Sequence, residues 1–258
     1  MKDAMSSTKF IFVALISLFS FCAIAQDEVG VSPYRPSVSS PAQLPLAGQL
    51  ELELGVLQNK ADNASRESLP YLFKLAFNKE WGILVGGEAY VRTKDEFSHK
   101  EKGAGDTSIT LKRAVLINET TAFGFEFSTK LPTAKDTIGS GKTDYTFNAI
   151  FSKDIEKLHL DGNINVTHLG VHEEGTAANL LGWATSFSLP IAEGWQAIAE
   201  PSGSHQNGLP SNTQLLTALA YSPNKQITID FGVSKGLNKF SHGYSLFAGL
   251  VIPIAKLW

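Results

Sequence analysis

The stretch GSGKT, at residues 139–143, contains the residue types that hold phosphate groups in many nucleotide-binding proteins. A phosphate-binding loop requires G-x-x-x-x-G-K-[ST] between a strand and a helix, so that backbone N–H groups and the lysine surround the phosphates. Five residues before Gly141 the chain has Asp136 instead of glycine, and its carboxylate would repel phosphate. The residues that follow alternate as in a strand, so no helix N-terminus is available for an anion. The sequence therefore predicts no nucleotide binding.

Nucleophilic catalysis would need a serine, a histidine and an orienting acid or amide within hydrogen-bond reach of one another. No serine has an obvious base beside it in the sequence, although a pair formed only by folding stays open. Most histidines fall in predicted loops, namely His99, His172, His205 and His242. The single cysteine, Cys22, lies in a segment expected to be removed, which excludes a later thiolate nucleophile or zinc–thiolate site. We expect no catalytic residue, no cofactor and no metal site.

Residues 1–25 have the features of a secretory signal peptide. Two lysines precede an uncharged, mostly apolar run at residues 10–24, and small residues stand before the expected cleavage after Ala25. The proline-rich segment that follows, residues 26–48, is expected to be an extended periplasmic leader. Removal of the signal changes the net charge from −3 to −4, because two lysines and one aspartate are lost. Such a chain is too acidic for a general nucleic-acid binder.

From Gln49 onward, apolar and polar residues alternate with a period of two, which is typical of β-strands. In QLELELGV, for example, Leu50 and Leu52 share one face, and Glu51 lies on the other. The links between strands are alternately long and short, beginning with a long polar link at residues 58–68. This asymmetry predicts an all-β fold, an antiparallel transmembrane β-barrel over residues 49–258. It would have about 12 strands, short periplasmic turns and longer extracellular loops.

A soluble β-sandwich also has alternating strands, so the two faces of the strands must decide between the folds. One face is rich in aromatic residues near the short turns and predicts a girdle of Phe77, Trp81, Phe123, Phe151, Phe187, Trp195 and Tyr221. The opposite face carries full charges, which a soluble core could not hold unpaired. We expect a barrel in the outer membrane of a Gram-negative bacterium, in contact with lipid and lipopolysaccharide and inserted by the barrel-assembly machinery.

The charged residues on the polar face are expected to line the lumen. They are Glu51, Glu53, Lys74, Glu88, Arg92, Asp106, Lys112, Glu126, Lys130, Asp144, Asp161, Glu200 and Asp230. Two interpretations stay open. These residues form either a polar path that favours certain solutes or a salt-bridged interior that supports the wall and blocks free flow.

Residues 131–155, LPTAKDTIGSGKTDYTFNAIFSKDI, resemble the signature of the outer-membrane family named for the MetA pathway of phenol degradation. The similar elements are a Lys-Leu-Pro-Thr strand end at 130–133, a Gly-Ser-Gly-x-Thr-Asp-Tyr re-entry at 139–145, a Ser-Lys-Asp turn at 152–154, a Gly-x-Gly-Asp strand start at 103–106 and the penultimate strand at 227–238. The resemblance covers most of residues 51–254. It implies a twelve-stranded outer-membrane barrel that moves small, often aromatic, compounds.

The sequence thus favours a passive outer-membrane channel or uptake protein. Its partner would be a small-molecule solute, aromatic or hydrophobic by the resemblance, and neither nucleic acid nor nucleotide. One alternative is a structural or adhesion barrel with a closed lumen, whose long loops meet outside partners. Another is a lipid-acting outer-membrane enzyme, because twelve-stranded barrels include a phospholipase. Because nucleotide binding is not expected, residues 139–141 are predicted to be the flexible end of an outer loop that re-enters the wall at Lys142.

Overall fold

The computed structural model describes residues 30–62, 64–241 and 243–258. Within them the chain forms one sheet of thirteen strands and no α-helix, and no helix is long and apolar enough to cross a membrane. The strands are β1 (Gln49–Ala61), β2 (Ala64–Ala76), β3 (Trp81–Lys94), β4 (Lys100–Gly103), β5 (Thr107–Asn118), β6 (Thr121–Leu131), β7 (Asp144–Ile155), β8 (Leu158–His168), β9 (Asn179–Ala192), β10 (Trp195–Gln206), β11 (Asn212–Asn224), β12 (Ile227–Gly236) and β13 (Tyr244–Lys256). The predicted signal peptide and residues 26–29 lie outside the described residues.

Twelve of the strands form a closed antiparallel barrel. Each pairs with its neighbour along the chain, and β13 pairs with β1 over Gln49–Lys60 to close the ring. The short β4 pairs with the far end of β3 and belongs to the connection between β3 and β5. Closure matters because hydrocarbon offers no partner for a backbone N–H or C=O at an open strand edge. The prediction of a twelve-stranded antiparallel β-barrel is confirmed.

Pro253 lies in β13, the strand that closes the barrel. The register between β1 and β13 shifts at this point, with Leu50 opposite Ala255 and Glu51 opposite Pro253. Ile254 is therefore an extra residue, as in a β-bulge. On its other side, β13 pairs with β12 only as far as Val251. Proline is tolerated at such a position because no ladder hydrogen bond is required from it.

The connections at the two ends of the barrel differ in length. At one end, which we call the short-turn end, they are residues 77–80, 119–120, 156–157, 193–194 and 225–226. The opposite end, the long-loop end, includes 95–106, 132–143 and 169–178. The first connection at the long-loop end is shorter than expected, because β1 and β2 extend to Ala61 and Ala64 and leave only residues 62–63 between them.

The period of two places the apolar face on the outside of the barrel. In β6, Phe123, Phe125 and Phe127 are 42%, 40% and 52% exposed, whereas Glu126 between them is 7% exposed. Near the short-turn end the ring of Phe123 lies 5.3 Å from that of Phe151, in the adjacent strand. The barrel is therefore apolar outside and polar inside, as expected for a strand barrel in lipid.

Residues 30–48, which we call the leader, lie inside the barrel instead of beside it. Within the leader, Tyr34 and Ala42 are 7% and 0% exposed. Both of its ends lie at the short-turn end: the N–H of Val31 donates to the carbonyl of Lys225 (2.8 Å), and the N–H of Gly48 donates to that of Ala76 (2.9 Å). The leader therefore enters the lumen, crosses it and returns to start β1 at the same end.

Candidate functional site

The lumen contains one aromatic side chain at the centre of its charged residues, that of Tyr34. The ammonium groups of Lys74 and Lys112 lie 4.4 Å and 4.2 Å from the centroid of its ring. Each distance is within the range of a cation–π interaction. The Tyr34 hydroxyl donates to the carbonyl of Gln43 (2.8 Å), which ties two distant parts of the leader together. Tyr34 is thus held by the wall through its ring and by the leader through its hydroxyl.

Three carboxylates of the wall bind the backbone of the leader. Glu53 accepts from the N–H groups of Tyr34 (2.8 Å) and Arg35 (3.2 Å), and both oxygens of Glu51 lie 3.1 Å from the N–H of Ser32. On the other side of the barrel, Glu200 accepts from the N–H groups of Val38 and Ser39, both at 2.9 Å. Hydrogen bonds that involve a charged acceptor are stronger than neutral ones. The leader is therefore bound largely through its main chain.

The second half of the leader packs on β6, β7 and β8. The side-chain amide of Asn163 accepts from the N–H of Ser40 (3.0 Å) and donates to its carbonyl (2.9 Å). The hydroxyl of Ser152 accepts from the N–H of Ala42 (2.7 Å). Ala42 is fully buried against Ala122 and Ile150, and a methyl group added to Gly124 would lie only 3.0 Å from the Cα of Ala42. This half of the lumen accepts the leader through small and amide-bearing side chains.

The buried lysines of the wall pair with wall carboxylates as well as with the leader. Lys74 lies 3.0 Å from Glu51 and 2.6 Å from Glu53. Lys112 lies 2.9 Å from Glu126 and donates to the carbonyl of Pro41 (2.5 Å). A buried charge is costly unless it is paired and hydrogen-bonded, and these groups meet that condition with the leader in place.

Apart from Arg92, the structure divides the sequence-predicted lumen residues into three groups. Those buried around the leader are Glu51, Glu53, Lys74, Lys112, Glu126, Asp161, Glu200 and Asp230. Asp106, Lys130 and Asp144 form a cluster at the long-loop end, and Glu88 is half-buried beside Arg66. A role of these residues in transport stays a prediction.

Arg92 departs from its expected position. The pairing of β2 with β3 shifts between Leu69 and Pro70, so that Ala89 is an extra residue in β3. A one-residue shift moves every following side chain to the other face. Val91 is consequently fully buried, and Arg92 is exposed on the outer face, opposite Glu67. The prediction that Arg92 lines the lumen is therefore wrong.

The GSGKT stretch is organised by the cluster at the long-loop end. The ammonium of Lys130 lies 2.7 Å from Asp144 and 3.6 Å from Asp106, and it donates to the hydroxyl of Ser140 (2.6 Å). Asp106 also accepts from the N–H of Ala134 (3.0 Å). The glycines therefore let the 132–143 loop fold over this cluster, and the stretch is a loop anchor in this structure.

The folded chain does bring a serine and a histidine together, which the sequence left open. Nδ1 of His205 lies 2.9 Å from the Ser211 hydroxyl, and Nε2 lies 3.0 Å from the side-chain oxygen of Asn207. All three side chains are exposed at the β10–β11 connection, so water competes for each hydrogen bond. We therefore attribute these hydrogen bonds to stabilisation of the β10–β11 connection and not to catalysis. Among the described residues, no group of three or more histidine, cysteine, aspartate or glutamate side chains could hold a metal ion.

The leader separates two cavities inside the barrel. One, of about 300 Å³, is lined by wall residues that include Tyr71, Leu84 and Thr110. The other, of about 370 Å³, is lined by residues near the short turns, including His159 and Gln196. Tyr34, Arg35, Ser37 and Ser39 of the leader line both cavities. One segment of the chain therefore divides the lumen.

Sequence reasoning missed the leader as part of this site. One signal for it was present: six of the predicted lumen residues that prove buried are acids and only two are lysines. Arg35 is the only charged residue in residues 30–48, and it pairs with Asp230 at 3.0 Å. The acidic side chains in excess on the wall thus pair with one cation, Arg35, and with N–H groups of the leader.

No protein-family model matches this chain, and no curated protein matches it significantly. Among solved structures, it is similar to the COG4313 outer membrane channel from Pseudomonas putida F1, with a TM-score of 0.64 and 10% identity over 90% of this chain and 100% of that chain. The NanC porin gives a TM-score of 0.58 at 10% identity, covering 79% of this chain and 100% of that one. The translocator domain of the autotransporter NalP from Neisseria meningitidis gives 0.53 at 10% identity, covering 80% and 88%. At such low identity the likeness shows the fold alone, which is that of outer-membrane β-barrels.

Proposed function

We propose that this protein is a passive outer-membrane channel for small molecules, and that the leader closes its lumen in the conformation described. The observation that carries the proposal is the division of the lumen by the segment from Tyr34 to Ser39, which lines a cavity on each side. A barrel of this size has a narrow interior, so a single extended segment is enough to obstruct it. Displacement of the leader would join the two cavities into one polar path.

A disulfide between the leader and the wall tests the proposal directly. The hydroxyls of Ser37 and Ser186 lie 3.0 Å apart, which makes Ser37→Cys with Ser186→Cys a suitable pair. The mature chain is expected to contain no other cysteine, because Cys22 lies in the predicted signal peptide. The oxidised double variant should pass little solute in liposome-swelling assays, and reduction with dithiothreitol should restore or increase the flux. Each single variant is the matched control and should not respond to reduction.

Equal flux from the oxidised and reduced double variant would contradict a closing role for the leader. Absence of both ion conduction and liposome swelling, in the wild type and in the reduced double variant, would favour the structural or adhesion barrel instead. Shortening the connection at residues 169–178 separates these functions further. Adhesion to an outside partner should be lost, whereas permeation should persist or increase.

The proposal also covers the transported solute and the location of the protein in the cell. The resemblance of residues 131–155 to the phenol-degradation family supports small aromatic or hydrophobic molecules as solutes. The channel and porin names of the similar structures support transport and a location in the outer membrane of a Gram-negative bacterium. Lipopolysaccharide and the barrel-assembly machinery would then be partners during insertion. Swelling rates for phenol-sized solutes and sugars of similar mass would rank the candidate substrates.

A further inference from the structure

The wall of the lumen contains a flat recess at the seam where the barrel closes. Gly55 in β1 is the register partner of Gly249 in β13, and Gly249 is in turn the partner of Asp230 in β12. Two glycines and one aspartate therefore stand in a row across three adjacent strands. Because glycine has no side chain, the row is a shallow groove with a carboxylate at one end.

The guanidinium of Arg35 lies in this groove. Its Nε and Nη2 atoms each donate to one oxygen of Asp230, both at 3.0 Å. A methyl group added to Gly55 would come within 2.8 Å of the guanidinium carbon, and one added to Gly249 within 2.5 Å. Both distances are far inside van der Waals contact, so the groove has the depth of a planar cation and no more. Asp230 is fully buried beneath it.

The groove belongs to the barrel and not to the leader. Its three residues are fixed by the hydrogen-bonded register of β1, β13 and β12, whereas Arg35 arrives from residues 30–48. A planar guanidinium matches a carboxylate through two parallel N–H bonds, and an ammonium does not reproduce that geometry. The groove should therefore remain when the arginine side chain is absent, and it should still bind a guanidinium group more tightly than an ammonium group.

We propose that Asp230, Gly55 and Gly249 form a guanidinium-binding site in the wall of the lumen. Arg35 occupies it while the leader fills the barrel, and a solute that carries a guanidinium group occupies it when the leader has moved. The site would thus give the lumen a preference for guanidinium compounds over other organic cations of equal charge. The second occupant depends on the proposed channel function, whereas the site itself does not.

The test uses the full chain with Arg35→Ala and two probes, methylguanidinium and methylammonium chloride at equal ionic strength. Thermal unfolding in detergent measures binding without any need for conduction. Methylguanidinium should raise the unfolding midpoint of Arg35→Ala at a concentration about tenfold lower than methylammonium needs. The wild type should not distinguish the probes, because its site is filled.

Adding Asp230→Asn or Gly249→Ala to Arg35→Ala should abolish the difference. The control Gly162→Ala should preserve it, because the nearest atom to a methyl group there lies 3.9 Å away.

Equal effects of the two probes on Arg35→Ala, or no effect of either, would overturn the proposal. Should Arg35→Ala fold poorly, its refolding yield from urea into detergent becomes the readout, and methylguanidinium alone should raise it. Single-channel recording then examines transport separately, where methylguanidinium should reduce the current through Arg35→Ala. A shifted unfolding midpoint without any channel current would support the site and contradict the proposed channel function.

Discussion

Glu200 on the barrel wall binds Ser39 of the leader twice through one carboxylate oxygen, which accepts from the backbone N–H at 2.9 Å and from the hydroxyl at 2.6 Å. The other oxygen accepts from the N–H of Val38. Among the described residues, no cationic side chain lies within ion-pair distance of this fully buried carboxylate. The buried partners of Glu200 are therefore hydrogen-bond donors of the leader, and the carboxylate loses three hydrogen bonds if the leader is displaced.

Glu200→Gln should favour the open channel. The amide group replaces one acceptor with a donor, so one N–H of the leader loses its partner inside the barrel. An unsatisfied buried donor costs about 1–3 kcal/mol, which corresponds to a change of about 5- to 150-fold in the ratio of closed to open channels. Open probability in planar bilayers measures this ratio. Glu174→Gln, in the exposed 169–178 connection, is the matched control and should leave it unchanged.

The two interactions of Tyr34 should separate in a pair of substitutions. Tyr34→Phe keeps the ring between Lys74 and Lys112 and loses only the hydrogen bond to Gln43, which contributes about 0.5–1.5 kcal/mol. Tyr34→Leu also removes two cation–π contacts, each of which contributes about 0.5–2 kcal/mol. Open probability should therefore rise further for leucine than for phenylalanine. Equal opening by both would mean that the lysines do not hold the ring.

Lys130→Met should loosen the 132–143 loop without changing the barrel. The substitution leaves Asp106 and Asp144 facing each other without the ammonium between them and removes the bond to Ser140. Because the lysine is partly exposed, the effect should be modest, with tryptic cleavage after Lys135 or Lys142 faster by about two- to fivefold. Limited proteolysis of the protein in liposomes measures this rate.

The control for the loop is Lys157→Met, at an exposed turn of the short-turn end. It should leave cleavage of the 132–143 loop unchanged. An unchanged cleavage rate in Lys130→Met itself would show that the loop is held by other contacts. Added nucleotide should not slow tryptic cleavage of the loop in either protein, because GSGKT is not expected to bind nucleotide.

Ser211→Ala should have no effect on lipid turnover by the protein. The serine, His205 and Asn207 have distances compatible with a catalytic arrangement, but all three are exposed to water. If the hydrogen bonds serve only the β10–β11 connection, phospholipid and lipopolysaccharide turnover by the purified protein should stay at background before and after the substitution. Turnover that Ser211→Ala abolished would identify the lipid-acting enzyme instead.

The barrel could be predicted because its signal is local and repeated. A period of two in each strand decides which residues meet lipid, and closure then follows from the need to pair every strand edge. The first long link was predicted wrongly as a loop because its polar residues, among them Asn59 and Arg66, continue the ladder beyond the apolar part of the strands. Polarity alone does not distinguish such an extension from a loop.

The site was harder to predict than the barrel. The bulge at Ala89, which moves Arg92 to the outer face, follows Gly86 and Gly87 and lies opposite Pro70, but glycines and a proline near a strand position do not fix which residue is the extra one. The leader has no periodicity at all, and its place in the lumen depends on contacts such as Glu200 with Ser39, more than a hundred residues apart. Only the excess of buried acids over lysines indicated that cationic or N–H-bearing groups had to come from elsewhere.

That excess should make the open channel cation-selective. The buried acids of the wall are Glu51, Glu53, Glu126, Asp161, Glu200 and Asp230, against only two wall lysines, Lys74 and Lys112, because Arg35 leaves with the leader. A narrow lumen lined by one sign of charge concentrates the counter-ion, so potassium should permeate over chloride by about fivefold at low salt. Reversal potentials under a KCl gradient give this ratio. It should fall in 1 M salt, where the screening length is about 3 Å, and in Glu200→Gln, but not in the exposed control Glu173→Gln. Anion selectivity would mean that the conducting path avoids the acids around the leader.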